Sequence, residues 1–235
     1  MDKQLDLVAK SYNKTIELGK KVINLYENLP EYITNDPDYL IYKKELENDN
    51  IGSENIKIKE FLEPTSNMNF IDLGCCLNFM FKGYDKWPSK YHGVDISSKN
   101  IELLNEFILK KGLLIDKLYC GSIHETPFAD NYFDIGACIG VLEYFEKDYV
   151  EKSLKEMHRI LKPNGKLVLD IPNIESKSGK IMMKIEEYMR RLDKFNMNYQ
   201  EFEKILKKYF EIVKTNSSDS NSMGFSYYLR CKKIL

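Results

Sequence analysis

A regular alternation of short apolar segments with helical segments, from residue 69 to residue 173, constrains the fold more than any other feature. The apolar segments are 69–74, 91–97, 117–122, 132–142 and 165–173. Near-continuous apolar strands are typical of a parallel sheet that helices cover on both faces. Because stretches with helical spacing lie between several of these segments, we predict βαβ units.

The C-terminal part of the chain adds two further apolar segments, 209–218 and 225–235, with a short polar turn between them. Such a turn predicts antiparallel pairing. Residues 174–198 have the apolar spacing of a helical insert. The sequence therefore predicts an α/β fold with a mostly parallel seven-stranded sheet, an antiparallel last strand and helices on both faces.

The first quarter of the chain contains no convincing strand. Apolar residues recur there at steps of three and four, which predicts helices at 3–29, 38–48 and 53–62. We therefore divide the chain into a helical N-terminal cap, residues 1–62, and a larger domain, residues 63–235, that carries the insert.

The composition limits the classes of partner that we expect for this chain. The chain has 35 Lys+Arg against 36 Asp+Glu, so no long-range field favours a nucleic acid or an anionic membrane. No apolar run approaches the roughly 20 residues that span a bilayer. We therefore expect no membrane association and favour a small-molecule acceptor over a nucleic acid, although the charge balance does not exclude an RNA held by a local patch. The oligomeric state stays open. The five cysteines form no C-x-x-C pair, which favours a reduced, cytoplasmic setting without a metal site.

Polar side chains stand where three of the predicted strands end. Ligands of open α/β sheets bind outside the carboxyl ends of the strands, and Asp72, Asp95 and Ser122 lie at such ends. Asp95 follows an apolar strand and precedes a helix, where a carboxylate can accept both hydroxyls of a ribose. The alternative is that Asp95 caps the next helix, a role that Ser97 or Ser98 can also fill.

An ordered series of motifs resembles one enzyme family. The segments are FIDLGCCLN, GVDIS, GSIHETPFADNYFDIGACIGVLEYF and EKSLKEMHRILKPNGKLVLDIPN. They are similar to the class I S-adenosylmethionine-dependent methyltransferases of the type 11-like group, which act on small molecules, over roughly residues 68–173. The resemblance implies a Rossmann-like sheet, S-adenosylmethionine as cofactor, a methyltransferase domain at 63–235 and a small or medium organic acceptor.

The resemblance also implies roles for single residues. Asp72 would organise the turn after the first strand and reach the methionine amino group, and Asp95 would hold the ribose hydroxyls. Glu143 and Tyr144 would stand near the transferred methyl group and the acceptor. The other implied cofactor-binding residues are Gly74, Cys75, Cys76, Ile96, Ser122, Ile123, Ile139 and Gly140.

The chain departs from the family pattern at three of these positions. Cys76 and Asn78 replace two glycines of the turn, and Ser122 replaces the usual acid beside the adenine. Glycine tolerates positive φ, and Asn tolerates it better than most residues. We expect the Cys76 thiol to pack inward as a small hydrophobe, which leaves the pocket altered but usable.

Two predictions concern the methyl acceptor: which residue would take a proton from it, and which helices would cover it. A general base is needed only if the acceptor must lose a proton. The candidates are His124, Glu143 and, less favoured because it lies inside a predicted helix, His158. The first helix carries Tyr12 and Tyr26, and we predict that it folds over the cofactor as a lid, with Tyr12 in contact. Together with the Met-rich insert it would enclose the acceptor.

Three other functions stay open on the sequence. The first is a degenerate relative that binds S-adenosylmethionine or S-adenosylhomocysteine without catalysis, which Cys76 and Ser122 motivate. The second is a nicotinamide oxidoreductase, although G-x-G-x-x-G is absent. The third is a methyltransferase acting on RNA or protein.

Overall fold

The computed structural model describes residues 3–21, 28–48, 51–113, 115–191, 194–217, 220 and 222–233. The helices of these ranges are α1 (Lys3–Lys20), α2 (Glu31–Thr34), α3 (Tyr39–Asn48), α4 (Ile51–Leu62), α5 (Asn78–Phe81), α6 (Ser98–Lys111), α7 (Lys147–Ile160), α8 (Lys177–Tyr188) and α9 (Tyr199–Tyr209). The strands are β1 (Asn69–Leu73), β2 (Lys90–Asp95), β3 (Lys117–Cys120), β4 (Phe133–Cys138), β5 (Leu161–Pro172), β6 (Phe210–Thr215) and β7 (Gly224–Cys231).

These strands form one sheet in the order β3-β2-β1-β4-β5-β7-β6. The pairings from β3 through β5 are parallel, and β7 lies antiparallel between β5 and β6. The predicted mostly parallel, seven-stranded sheet with an antiparallel last strand is confirmed. Strand order reverses at β1, which pairs with β2 on one side and β4 on the other. A cleft at the carboxyl ends of β1 and β4 is therefore the expected ligand site of this fold.

Alternation of side chains along the strands builds a separate core on each face of the sheet. Ile71 and Leu73 of β1 join a core that includes α7 and α9, whereas Phe70 joins a core with α4 and α6. The predicted helices on both faces are confirmed. Ile58 of α4 is fully buried in the second core, so the third helix of the predicted cap packs directly on the sheet. The division at residue 62 remains a prediction.

A third, smaller apolar cluster joins the N-terminal helices to the insert. Ile33 and Tyr42, from α2 and α3, pack with Ile181 and Ile185 of α8. The insert is thereby fixed against the cap. Among the described helices, none combines the length and the apolar character that crossing a bilayer requires.

The sequence prediction differs from the structure at two helix ends. The apolar spacing of residues 150–161 predicts a helix that includes Leu161, but α7 ends at Ile160 and Leu161 pairs with Phe133 as part of β5. The apolar spacing continues past the helix end because Leu161 is buried in both interpretations. The predicted first helix reaches residue 29, and its part from 22 to 27, with Tyr26, lies outside the described residues.

Candidate functional site

A cavity of about 210 Å³ lies at the carboxyl ends of β1, β2 and β4, under α1. It is lined by the turn after β1, by the loops after β2, β3 and β4, and by one face of α1. The residues predicted from sequence that line it are Tyr12, Gly74, Cys76, Asp95, Ile96, Ser122, Ile123, Ile139, Gly140 and Tyr144. Asp72, Cys75, His124 and Glu143 do not line it.

The turn after β1 is shaped by packing and by one carboxylate. Gly74 has φ +74°, and a Cβ built there would lie 2.2 Å from Cγ2 of Val141. The glycine is therefore required by contact with the loop after β4, and not only by the approach of a ligand. Cys76 has φ +39°, a strained value for a non-glycine residue. Its backbone N–H donates to Oδ2 of Asp95 at 2.6 Å, which holds the turn in place.

The two adjacent cysteines point to different surroundings. Cys75 is fully buried and belongs to the core that includes Phe70. Cys76 lines the cavity and is only partly buried. Our expectation that the Cys76 thiol packs inward is therefore wrong, because Cys75 already fills that space. Burial raises the pKa of the Cys76 thiol to about 12, so it meets a ligand as a neutral group.

Asp95 is the buried anion of the cavity, with 6% of its surface exposed. Its Oδ1 accepts from the Ser97 N–H at 2.7 Å and from Asn100 Nδ2 at 3.3 Å. With the Cys76 bond, three of about four acceptor positions of the carboxylate are in use. One position on Oδ2 stays available for a hydroxyl, and a second requires the long Asn100 contact to yield. Burial raises the pKa of Asp95, and the three hydrogen bonds act in the opposite direction without cancelling this rise.

Asp95 is not the N-cap residue of the helix that follows it. Ser97 is the N-cap of α6, and its hydroxyl accepts from the Asn100 N–H at 3.1 Å. The capping position is therefore filled without Asp95. The carboxylate is held at the cavity wall by the backbone on both sides of it.

The loop after β3 forms the other end of the cavity. Ile96 and Ile123 supply apolar surface there. The hydroxyl of Ser122 lies 2.5 Å from Nδ1 of His124 and 2.5 Å from the hydroxyl of Tyr149. His124 thus supports Ser122 from outside the cavity, and the structure does not bring it together with Glu143.

Asp72 lies behind the turn and has no exposed surface. Its Oδ2 accepts from the Tyr91 hydroxyl at 2.9 Å, and Asn78 Nδ2 lies 3.5 Å from Oδ1. Burial raises the pKa of Asp72 to about 7, in spite of these two contacts. Asp72 therefore joins β1 to Tyr91 of β2 and contacts Asn78 after the turn, and it does not line the cavity.

Helix α1 covers the cavity and is tied to the rest of the protein by side chains. Leu5, Val8 and Tyr12 line the cavity from above. Oδ1 of Asn13 accepts from the Ser97 hydroxyl at 2.7 Å and from the Lys99 N–H at 3.2 Å. These contacts agree with the predicted position of α1 over the site.

Three further side-chain bonds reach α1 from the loop after β4 and from the insert. Nε2 of Gln4 donates to the carbonyl of Tyr144 at 3.0 Å, and the hydroxyls of Tyr12 and Tyr144 lie 3.0 Å apart. The Ser11 hydroxyl donates to the carbonyl of Met189 at 3.1 Å. Helix α1 is therefore fixed to both walls of the cleft.

A second cavity, of about 520 Å³, adjoins the first at Gly140. Gly140 has φ +70°, and its N–H donates to Oδ1 of Asp170 at 2.8 Å. Glu143 and Asp170 line this second cavity near that junction. Its other lining residues come from α3, α4, α8 and the last three strands, and are Glu45, Lys57, Ile171, Pro172, Met182, Lys214, Thr215, Asn216, Ser222, Met223, Gly224, Ser226 and Tyr228.

Several of these residues were not predicted from sequence. Asp170 has the same signal as Asp95, an acid at the end of an apolar strand, and this signal could have identified it. Tyr149 carries no such signal. It reaches the smaller cavity because α7 packs beside the loop after β3, where its hydroxyl contacts Ser122.

Part of the chain is similar in sequence to known proteins. Residues 71–169 match the family described as "Methyltransferase domain". The sterol 4-C-methyltransferase strm-1 of Caenorhabditis elegans is 30% identical over 113 residues, which are 48% of this chain and 33% of that protein. An uncharacterised protein of Methanocaldococcus jannaschii is 32% identical over 153 residues, which are 64% of this chain and 58% of that protein.

Residues 71–169 carry a class I S-adenosylmethionine-dependent methyltransferase domain of the type 11 group. S-adenosylmethionine is therefore the cofactor of the family. The chain shares its fold with the geranyl diphosphate C-methyltransferase of Streptomyces coelicolor A3(2), with a TM-score of 0.67 and 14% identity. The two chains correspond over 98% of this one and 99% of the other.

The cavity of this methyltransferase fits the adenosyl part of that cofactor. Asp95 offers an acceptor for a ribose hydroxyl, and Ile96 and Ile123 offer apolar surface for a purine. Within the described ranges, no group of three or more His, Cys, Asp or Glu side chains could hold a metal ion. The volume of about 210 Å³ is below the roughly 300 Å³ at which small-molecule sites begin. A wall of the cavity must therefore shift to admit the whole cofactor.

Proposed function

We propose that the chain transfers a methyl group from S-adenosylmethionine to a small organic acceptor. The observation that carries the proposal is the junction of the two cavities at Gly140. The smaller cavity has the features of an adenosyl site, and the larger one is of a size usual for small-molecule ligands. The relative from C. elegans is itself named for methylating a sterol, which is a small molecule.

S-adenosylmethionine, when bound, would supply a methyl group on a sulfonium for direct displacement by the acceptor, with the thioether as the leaving group. The protein's task is then mainly to hold acceptor and cofactor in line. The Asp170 carboxylate fixes the loop after β4 through the Gly140 N–H. The backbone carbonyl of Glu143 accepts from the N–H groups of Lys194 and Phe195, each at 3.1 Å. The junction is thereby held by β5 on one side and by the insert on the other.

Glu143 is the candidate general base, because its position in the larger cavity is next to the junction. A carboxylate there can take a proton from an acceptor hydroxyl or amine. Tyr144 has a different role in this proposal. Its ring lines the smaller cavity, and burial raises the pKa of its hydroxyl well above the ordinary range. It therefore acts as a neutral hydrogen-bonding wall.

The acceptor enclosure that we propose uses other elements than the sequence suggested. Helix α1 lines the smaller cavity and contributes nothing to the lining of the larger one. Of the cap, Glu45 and Lys57 line the larger cavity, and the insert contributes Met182. We assign α1 to covering the cofactor, and α3, α4, α8 and the last three strands to the acceptor.

Binding without catalysis is the second candidate. Cys76 favours this candidate, because it takes the place of a glycine of the family's turn after the first strand. A methylated product separates the two functions, since a binding protein yields none.

The decisive experiment uses S-adenosylmethionine with a radioactive methyl group and determines which molecules receive the label. The protein is incubated with this cofactor and, separately, with the small-molecule, RNA and protein fractions of a cell extract. We expect label in the small-molecule fraction, lost in Glu143→Gln and kept in the control Glu146→Gln, which changes an exposed glutamate three residues on. Label in the RNA or protein fraction alone would contradict the proposal.

A further inference from the structure

The insert buries an ion pair beside the smaller cavity. Nε of Arg191 lies 3.2 Å from Oε2 of Glu186, and the two residues are 4% and 8% exposed. Burying two charges has a large desolvation cost, so such a pair is weak support for stability. Charged side chains this deeply buried, next to a ligand cavity, are candidates for a role in binding.

The pair touches the cavity wall through two tyrosines. The guanidinium carbon of Arg191 lies 5.0 Å from the centre of the Tyr12 ring. The hydroxyl of Tyr144 donates to Oε2 of Glu186 at 3.2 Å. Both rings line the cavity, so a shift of one ring exposes the pair to a ligand.

The charge of Arg191 acts on residues of the smaller cavity, Tyr12 and Cys76. Burial raises the pKa of the Cys76 thiol, and the positive charge of Arg191 acts against this rise. The same charge acts on Tyr12, whose pKa is raised mainly by burial. The charge of Arg191 therefore reaches the turn after β1, where the family resemblance places the methionine end of the cofactor.

The chemistry of the pair matches the amino-acid end of the cofactor, which carries a carboxylate and an ammonium group. A guanidinium binds a carboxylate through two parallel hydrogen bonds, and a Glu carboxylate accepts from an ammonium. Asp72, which we expected to reach this ammonium, is fully buried behind the turn. We propose that Arg191 binds the carboxylate and Glu186 the ammonium of S-adenosylmethionine. This inference rests on the function proposed above.

The small volume of the cavity fits this arrangement. Tyr12 belongs to α1, which is tied to the rest of the protein by side-chain bonds and by Leu5 and Val8, which pack in the core with Ile71. Withdrawal of the Tyr12 ring enlarges the cavity on the side of Arg191. The carboxylate of the cofactor would then take the place of the Tyr12 ring against the Arg191 guanidinium.

Two ligands that differ only at the amino-acid end provide the test. S-adenosylhomocysteine carries that end, and 5′-methylthioadenosine lacks it. We expect calorimetry to show that the wild type binds the first at least tenfold more tightly. Arg191→Met should lose at least tenfold in affinity for S-adenosylhomocysteine and less than twofold for methylthioadenosine. Glu186→Gln should show the same selective loss, and Arg190→Met, a matched loss of charge at an exposed position, should show neither.

The outcomes separate this inference from the proposed function. A wild type that binds both ligands equally, or an Arg191→Met protein that loses both equally, overturns the inference but leaves the adenosyl site. A wild type that binds neither ligand contradicts the proposed function as well. If Arg191→Met does not fold, Arg191→Lys keeps the charge without the planar fork and should still lose affinity for S-adenosylhomocysteine alone. Unchanged affinity in Arg191→Lys would then overturn the inference.

Discussion

The buried Asp72 makes the stability of this protein depend on pH in a definite direction. Burial raises its pKa from the ordinary 3.8 to about 7 in the folded chain. Below about pH 4 the carboxyl group is protonated in both states, so its titration then costs the fold nothing. Between these two pKa values the unfolded chain releases the proton and the folded chain retains it. The contribution of Asp72 to the free energy of unfolding must therefore fall as the pH rises from about 4 to about 7.

The size of this effect follows from the shift. A difference of about 3 pKa units corresponds to about 4 kcal/mol, at roughly 1.4 kcal/mol per unit. Asp72→Asn imitates the protonated carboxyl group, and its amide oxygen can still accept from the Tyr91 hydroxyl. We expect wild type and variant to be similarly stable near pH 4. At pH 8 the variant should be the more stable protein by up to about 4 kcal/mol.

Urea unfolding of both proteins at several pH values between 4 and 8 measures this difference. All other titrating groups are common to the two chains, so their contributions cancel. Asp148→Asn, the same change at an exposed position of α7, controls for the substitution itself. A difference between wild type and Asp72→Asn that does not grow with pH would refute the assignment of Asp72 as a buried carboxyl group with a raised pKa.

Three further predictions concern the walls of the site. Gly74→Ala should destabilise the protein more than Gly83→Ala in urea unfolding. Both residues have positive φ, but only the first Cβ meets Val141, at 2.2 Å, and such overlap costs about 1–3 kcal/mol; equal losses would contradict the packing argument. Asn13→Ala removes the acceptor that ties α1 to the start of α6, so amide hydrogen exchange in α1 should accelerate, and unchanged protection would argue against the tie. His124→Ala should keep kcat within about twofold in methyl-transfer assays, since the ring lines neither cavity beside Gly140; a loss of 100-fold or more would restore it as the base.

The sheet was predictable because its strands are defined by local sequence. Apolar segments such as 132–142 are buried on both faces, so their composition alone identifies them. The carboxyl ends of parallel strands then meet at one edge, which placed Asp95, Ser122 and Gly140 in the cavity lining. This part of the site is a property of topology.

The rest of the site depends on contacts that no local pattern encodes. The orientation of Cys76 was predicted wrongly because its neighbour Cys75 has the same composition and takes the core position. Asp72 ends an apolar strand as Asp95 does, yet Tyr91 engages it inside the protein. Glu186 and Arg191 come together with Tyr12 only in the folded chain, because α1 and the insert are distant in sequence.

The central claim is that the Asp95 carboxylate holds the ribose of S-adenosylmethionine in the smaller cavity. Calorimetric titration of wild type and Asp95→Ala with S-adenosylhomocysteine tests it most directly. A hydrogen bond to a charged group contributes about 1.5–3 kcal/mol, so the variant should bind at least tenfold more weakly, as one decade is about 1.4 kcal/mol. Equal affinity of the two proteins, or no binding by the wild type, would contradict the claim.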